Sequence, residues 1–192
     1  MKKYLIVAVI FFTCSTILNA QEKIKLNTKK STVTWEGSKL FGFGKHDGTV
    51  NFKEGEVSVI DSKITKGSFV IDMTSIKSNE KETWVYDLVE HLKHKDFFDV
   101  KNNPTAKIVF TNIKYIGNEG HMQITADLTI NKITNSVFFS AKQNNEKKEI
   151  ETRLKIDRTD WNITYKSQGK KTVKDQIISD AISFKVLLNF SK

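Results

Sequence analysis

The sequence has few of the residues that mark several protein classes. Its 192 residues include one cysteine, Cys14, and one proline, Pro104. A single cysteine excludes an intramolecular disulfide framework and any zinc site with two or more cysteine ligands. One proline and nine glycines exclude collagen-like and proline-rich chains. With 39% hydrophobic and 28% charged residues, the chain has enough apolar material for a core, and its length suits one domain.

Arginine is also scarce, and this bears on the excess of positive charge. The formal net charge is +9, yet only Arg153 and Arg158 accompany the lysines. Arginine is the preferred bidentate reader of phosphates and bases, so no nucleic-acid partner is predicted. The lysines are scattered, which favours a lysine-coated soluble surface. An anionic membrane surface or an anionic ligand head group is the alternative, and no pattern indicates an oligomeric state.

The first twenty residues have the layout of a secretory signal peptide. Lys2 and Lys3 form a basic start, residues 4–12 carry no charge, and small or polar residues lead to Ala20, after which we expect cleavage. A membrane-spanning helix needs about 20 mostly apolar residues, so no transmembrane span is predicted. We therefore expect an exported protein, periplasmic or secreted, with residues 21–192 as its single domain.

Cys14 allows a different reading of the same segment. A lipoprotein signal is cut just before a cysteine that then receives the lipid. Such a signal needs small residues ahead of the cysteine, and Phe12 and Thr13 fit that requirement poorly. Cleavage after Ala20 is therefore the favoured prediction.

Most of the mature chain alternates between apolar and polar residues, which is typical of half-buried β-strands. The last segment is the clearest, with Ile182, Phe184 and Val186 on one face. The predicted strands are 31–36, 45–52, 64–73, 106–116, 121–131, 135–142, 149–157 and 182–190.

Glycine-containing pairs and loops mark the predicted turns between these strands. Glu54-Gly55 and Lys66-Gly67 indicate two turns. Residues 117–120, with the sequence Gly-Asn-Glu-Gly, are expected to close a hairpin between Tyr115 and His121.

One segment has a helical rather than a strand period. Trp84, Leu88 and Leu92 recur at four-residue spacing and predict a helical insertion over about 80–95. A short second helix is possible over about 173–180. About eight strands with polar outer faces favour a closed antiparallel β-barrel, because closure removes exposed edges. A β-sandwich is the alternative, and a barrel of this size is either filled by side chains or holds a small ligand.

Six motifs in a fixed order carry a resemblance to a known family. They are GKHDGTV at 44–50, GSFVIDMTSI at 67–76, HLKHKDFFDV at 91–100, NPTA at 103–106, ADLTINKIT at 126–134 and RTDW at 158–161. Together they resemble the YceI-like domain family from about Ser31 to Phe190. The resemblance implies a lipocalin-like barrel in an exported bacterial protein that holds a long apolar chain, such as a polyisoprenoid. It implies no catalytic mechanism and no cofactor, and ligands differ among family members.

A prenyl chain offers no hydrogen bonds, so its pocket needs only apolar area, worth about 25 cal/mol per Å² buried. Large apolar side chains are candidates for a tunnel wall, with plain core packing as the alternative. The candidates are Trp35, Phe41, Phe43, Phe69, Trp84, Leu88, Phe97, Phe98, Phe110, Phe139 and Trp161. Consecutive residues of an extended chain point to opposite sides, so one of Phe97 and Phe98 is expected to be exposed unless a ligand covers it.

Lys45, His46 and Arg158 are the candidates for contact with a ligand head group. The first two follow a glycine-rich bend at 42–44, which also suits a barrel corner. Arg158 and Asp160 face the same way on an extended chain, which favours a structural role, either an ion pair or backbone hydrogen bonds that fix a barrel corner, with Trp161 plugging the barrel end.

The main functional expectation is non-catalytic binding or transport of a polyisoprenoid, quinone or other lipid. The alternative is a metal-assisted enzyme that uses His46, His91, His94 and Asp96, since His91 and His94 can share a helix face. No His-Glu-x-x-His signature supports it, and histidine at a helix C-terminus is also explained by the helix dipole. No metal and no cofactor are therefore predicted.

Overall fold

The structure, a computed structural model, describes residues 21–40, 44–81, 85–168 and 176–190. These residues form nine strands, one α-helix and a 3₁₀ turn. The elements are β1 (Glu22–Lys25), β2 (Thr32–Ser38), β3 (Lys45–Ile60), β4 (Lys63–Ser78), α1 (Val85–Lys93), β5 (Thr105–Ile116), β6 (His121–Ile130), β7 (Ile133–Asn144), β8 (Glu149–Asp157), the 3₁₀ turn (Arg158–Trp161) and β9 (Ala181–Asn189).

The strands form a closed antiparallel barrel. Each of β2 to β8 pairs with the next strand along the chain, and β9 pairs back with β2. The eight strands therefore close on themselves, and β1 is added beside the far half of β3, from Glu22↔Val59 to Lys25↔Glu56. The predicted eight-stranded barrel is confirmed, and the β-sandwich alternative is wrong.

Two predicted turns lie inside strands instead. Gly55 is part of β3 and Gly67 is part of β4, and the β3–β4 turn lies at Asp61 and Ser62, with φ angles of 49° and 62°. The two glycines make room for core rings: a Cβ at Gly55 would meet the Phe69 ring, and one at Gly67 would lie 2.5 Å from Cδ2 of Phe110. Register shifts along the β3–β4 pair interrupt the alternation of apolar and polar residues. The sequence pattern therefore predicted only part of each strand.

The β5–β6 hairpin is confirmed where it was predicted. Gly117 and Gly120 have φ angles of 63° and 75°, a region that residues with a Cβ rarely adopt. A Cβ at Gly120 would also contact the Gln143 carbonyl of the neighbouring hairpin.

The helical prediction is confirmed as α1, which is shorter than the predicted segment. Trp84 lies outside the described residues. The second predicted helix falls partly on residues 169–175, which are also outside that range. In its described end, Gln176 has 3₁₀ geometry and residues 177–180 are not helical, with Ile178 in a β-bridge with Lys39. No helix among the described residues is long and apolar enough to cross a membrane.

The two ends of the barrel differ. One end has short hairpin turns between β3 and β4, β5 and β6, and β7 and β8. The other end has the short β6–β7 turn at Asn131 and Lys132 together with the long connections, which carry α1 and the 3₁₀ turn. At this end the β7–β8 ladder has already stopped, since its four pairs run only from Ala141↔Thr152 to Asn144↔Glu149. The Asn135 side chain crosses the gap and donates to the Asp160 carbonyl at 2.8 Å.

A row of aromatic rings runs across the barrel interior. The ring centroids of Phe52 and Phe69 lie 6.1 Å apart, those of Phe69 and Phe110 5.4 Å apart, and those of Phe110 and Phe139 6.1 Å apart. These tilted and edge-to-face geometries are the ones that aromatic pairs favour. The row joins β3, β4, β5 and β7 and forms one side of the core.

Candidate functional site

The barrel encloses a cavity of about 510 Å³. Pockets that hold small-molecule ligands usually measure about 300–1,000 Å³, and this volume falls within that range. Inward-facing side chains of the barrel strands and the inner face of α1 form its wall.

Most of the predicted tunnel residues that the structure describes lie in this wall. They are Trp35, Phe69, Leu88, Phe97, Phe98, Phe110 and Phe139. Phe41, Phe43 and Trp84 are outside the described residues. Trp161 is 1% exposed, and its Nε1 donates to the Leu128 carbonyl at 3.0 Å. It is buried in the core and is not among the described residues that line the cavity.

Phe97 and Phe98 are both buried, contrary to the expectation that one would be exposed. The segment that holds them is a turn rather than extended chain, because Phe97 N donates to His94 O and Phe98 N donates to Leu92 O. Asp99 follows with a φ angle of 43°. The turn brings both rings to the same side, with centroids 5.9 Å apart, and both line the cavity.

Arg158 lies at the end of the barrel that carries the long connections, and its side chain is 1% exposed. Nε donates to Ser179 O, Nη1 to Ile163 O and Nη2 to Ile178 O, at 3.1, 2.6 and 3.2 Å. Asp180 Oδ1 lies 3.0 Å from Nη2.

Through these contacts the guanidinium of Arg158 holds the β8–β9 connection in place. Burial lowers the pKa of Arg158, and the charges of Asp180 and Asp157 oppose this effect. Arginine begins from so high a pKa that it stays charged. Arg158 lines the cavity, but its donors already point at protein oxygens, so these contacts give it a structural role.

The other two head-group candidates lie on opposite faces of β3. Lys45 is 73% exposed and its ammonium lies 3.1 Å from Oε1 of Glu36, so it is not part of the described cavity wall. His46 follows it and faces inward, because successive strand residues alternate. Its Nδ1 lies 3.2 Å from Oε1 of Glu80.

Sequence reasoning missed two cations at the cavity mouth. Lys39 and Lys166 line the cavity together with Asp87 of α1. Lys166 Nζ also lies 5.5 Å from the centre of the Tyr165 ring. Neither lysine belongs to a recognisable motif, and only the closure of the barrel brings them to one place.

The residues of the predicted metal cluster do not come together around one point. His94 Nδ1 contacts Asp96 Oδ2 at 3.1 Å, and the His91 ring packs 4.6 Å from the Tyr165 ring, while His46 contacts Glu80. Among the residues that the structure describes, no group of three or more histidine, cysteine or acidic side chains is arranged to hold a metal ion. The cluster that the metal-assisted alternative requires is thus not formed.

The known proteins similar to this chain share its fold and sequence pattern. The sequence profile of the YceI-like domain matches residues 25–190, from the end of β1 to just beyond β9. The chain belongs to the YceI-like domain family. The resemblance seen in its six motifs is thereby confirmed.

Relatives of this YceI-like protein occur in pseudomonads. A UPF0312 protein of Pseudomonas putida is 32% identical over 132 residues, which cover 68% of this chain and 65% of the relative. A UPF0312 protein of Pseudomonas aeruginosa is 34% identical over 104 residues, which cover 54% of this chain and 48% of the relative. This chain thus spans less than two thirds of the length of these relatives.

Two solved structures share the fold of this YceI-like protein. BcnA of Burkholderia cenocepacia superposes with a TM-score of 0.68 at 20% identity, over 87% of this chain and 99% of BcnA. The YCEI protein of Campylobacter jejuni gives a TM-score of 0.53 at 17% identity, over 100% of this chain and 99% of that protein. At these identities the likeness concerns the fold.

Proposed function

We propose that this protein binds a long apolar molecule, a polyisoprenoid, quinone or other lipid, inside its barrel and carries it without changing it. The observation that carries the proposal is the cavity of about 510 Å³ with its wall of apolar side chains. Fold and family membership are consistent with a hydrophobic ligand.

The binding free energy comes from removing apolar surface from water. Phe69, Phe110 and Phe139 offer one side of the cavity to a chain, and Leu88 of α1 and Phe97 offer another. At about 25 cal/mol per Å², a chain that buries a few hundred Å² gains several kcal/mol without any polar contact. Partition of this kind selects for length and flexibility of the apolar chain.

Native mass spectrometry of the protein, purified without detergent from an exported fraction of its own host, tests this function. We expect an added mass that organic extraction removes and that is identified as a lipid. A protein that carries no lipid, and that does not bind farnesol or geranylgeraniol after extraction, would contradict the proposal.

Export is a part of the same proposal. Since β1 begins at Glu22, cleavage after Ala20 would leave all of the described strands intact. The mass of the exported protein decides between the two signals. Cleavage after Ala20 leaves Gln21 as the first residue, whereas a lipoprotein would begin with a lipid-modified Cys14.

A further inference from the structure

The outer face of the barrel carries a hollow in addition to the interior cavity. Lys142 of β7, Arg153 of β8 and Lys185 of β9 line it, one cation from each of three neighbouring strands. We call these three residues the basic patch. Glu151 is the one carboxylate among the described residues that line the hollow. Three cations against one carboxylate give the hollow a net positive charge.

Two cations of the basic patch are placed directly opposite each other. Arg153 and Lys185 are partners in the β8–β9 ladder, and both are exposed. The residue that follows Lys185 across the sheet is Thr34, and β7 gives Arg153 no ladder partner because the β7–β8 ladder ends at Ala141↔Thr152. Like charges directly opposite each other destabilise a sheet, so an anion bound over this pair would offset that cost.

The fold does not use the charges of the basic patch. The exposed Lys45 has a carboxylate partner, Glu36, whereas no cation of the basic patch forms an ion pair with a described residue. Arg153 is also one of only two arginines in the sequence, and the other, Arg158, is buried. The one guanidinium that is exposed therefore lies in the patch, where it can contact two oxygens of a phosphate at once.

A large apolar side chain lies beside the basic patch. Phe138 is 63% exposed. It is two residues before Ser140, which lines the hollow, and alternate residues of a strand share a face. On an anionic membrane, cations meet the lipid head groups and aromatic rings reach the boundary of the acyl chains. The combination of unpaired cations and an exposed ring therefore fits a membrane surface better than a soluble acidic partner.

We propose that the basic patch and Phe138 dock this protein on an anionic phospholipid surface. This inference goes beyond the proposed function, because it concerns the outer face of the barrel and does not depend on what the cavity holds. Docking gives a lipid carrier a place to meet the membrane with which it exchanges its ligand. Retention of that ligand is a separate property, set by the interior wall.

Co-sedimentation of the exported protein with lipid vesicles tests the inference. One set of vesicles is phosphatidylcholine, and the other is phosphatidylcholine and phosphatidylglycerol in equal parts. We expect binding to the anionic vesicles only, and added salt should weaken it. Arg153→Gln combined with Lys185→Gln should weaken it about 30-fold, since each lysine or arginine near an anionic surface contributes about a factor of 5. Phe138→Ser should weaken binding at low and at high salt.

The matched control is Lys66→Gln combined with Lys107→Gln. It removes the same two charges from exposed positions of β4 and β5, which do not line the hollow. The net charge of the protein falls equally in both double variants, so a general attraction between a basic protein and anionic lipid would weaken equally. We expect the control to bind within about twofold of the wild type. Equal weakening of the two double variants would overturn the proposal.

Two further outcomes are decisive. A wild-type protein that sediments with neither kind of vesicle, or equally with both, overturns the proposal. If it instead binds polyglutamate through Arg153 and Lys185, the partner is an acidic polypeptide and not a membrane. Circular dichroism shows whether each variant keeps the barrel, and the single substitutions, each expected to weaken binding about fivefold, replace a double variant that does not fold. Vesicle binding and the native mass are measured separately, so failure of docking is distinguished from failure of the carrier function.

Discussion

Nη2 of Arg158 lies 3.0 Å from Oδ1 of Asp180, and the two residues join the end of β8 to the start of β9. The backbone repeats the link, since Arg158 N donates to Asp180 O at 2.8 Å. Oδ1 has no aligned donor, so the side-chain contact is an ion pair rather than a hydrogen bond. Asp180 Oδ2 accepts from Gln168 N at 3.2 Å, which ties the intervening connection to the same carboxylate.

Arg158→Lys should therefore destabilise the barrel while keeping the charge. A lysine cannot reach three carbonyls and a carboxylate at once, so buried acceptors lose their donors. We expect the free energy of unfolding to fall by about 3 kcal/mol, measured by urea denaturation. Arg153→Lys is the control, because Arg153 is exposed, and it should change the free energy by less than about 0.5 kcal/mol. Equal effects of the two substitutions would contradict the structural role.

Phe138 and Phe139 are adjacent on β7 but point to opposite faces. Substitutions at these two positions therefore provide a test of ligand binding and its matched control. Phe138 is 63% exposed, whereas Phe139 is 6% exposed and lines the cavity. We expect Phe139→Asp to abolish lipid retention in native mass spectrometry, because a carboxylate in the wall is incompatible with an apolar chain. Phe138→Asp should retain the lipid.

The Phe139 substitution also risks unfolding the barrel, so a second variant fills the cavity without a charge. Ala106 is 6% exposed and lines the cavity from β5. Ala106→Phe should keep the circular dichroism of a β-barrel and lose the lipid. A folded Ala106→Phe protein that still carries its lipid would show that the ligand does not occupy this cavity.

Gly48 and Gly37 differ in the space available for a side chain. A Cβ at Gly48 would collide with the Trp35 ring and the Lys77 carbonyl, whereas one at Gly37 would meet nothing within 4 Å. Gly48→Ala should lower the free energy of unfolding by about 1–3 kcal/mol, as overpacking does. Gly37→Ala should leave it unchanged or raise it by up to about 1 kcal/mol. Thermal denaturation of both variants measures the difference, and a Gly48 variant as stable as the wild type would contradict the packing described.

Tyr115 makes stability depend on alkaline pH. Its hydroxyl accepts a hydrogen bond from Ile64 N at 2.7 Å and donates one to Oε1 of Gln143. Tyr115 lies in the part of β5 beyond Val109, where β5 no longer pairs with β4. Burial raises the pKa of Tyr115 above its ordinary value of 10.0, although the bond from Ile64 opposes this. The unfolded chain then loses the proton first, so the contribution is complete below pH 10 and is lost as pH rises through the folded-state pKa.

Tyr115→Phe tests this prediction against the background of titrating lysines. The difference in the free energy of unfolding between the wild type and the variant should shrink from pH 9 to pH 11. Urea denaturation at both pH values measures it. A constant difference would mean that the Tyr115 hydroxyl keeps the same proton affinity in the folded and unfolded chains.

The strand pattern was predictable where the pleat has one buried and one solvated face. Ile182, Phe184 and Val186 show the alternation in sequence, and β9 occupies that segment. Gly117 and Gly120 marked their hairpin because the turn itself requires positive φ angles. Gly55 and Gly67 misled for the opposite reason: distant aromatic rings, rather than local backbone geometry, account for them.

The candidate site was predictable as a set of apolar residues but not as an arrangement. Lys45 and His46 are neighbours in sequence and separate in space, one outside the barrel and one in its wall. Lys39 and Lys166, in contrast, are far apart in sequence and line the same cavity. Phe98 and Phe97 share one side only because a turn replaces extended chain there.

The strand period, the helical insertion and the family could be inferred from the amino-acid sequence alone, because they depend on residue types at short, regular spacings. The fold was needed to show which apolar side chains surround a cavity, that the Arg158 donors are already engaged, and that the N–H of Trp35 has no acceptor among the described residues. Such properties depend on which strands close against each other. Barrel closure joins β9 to β2 across most of the chain, and no local pattern encodes the contacts that result.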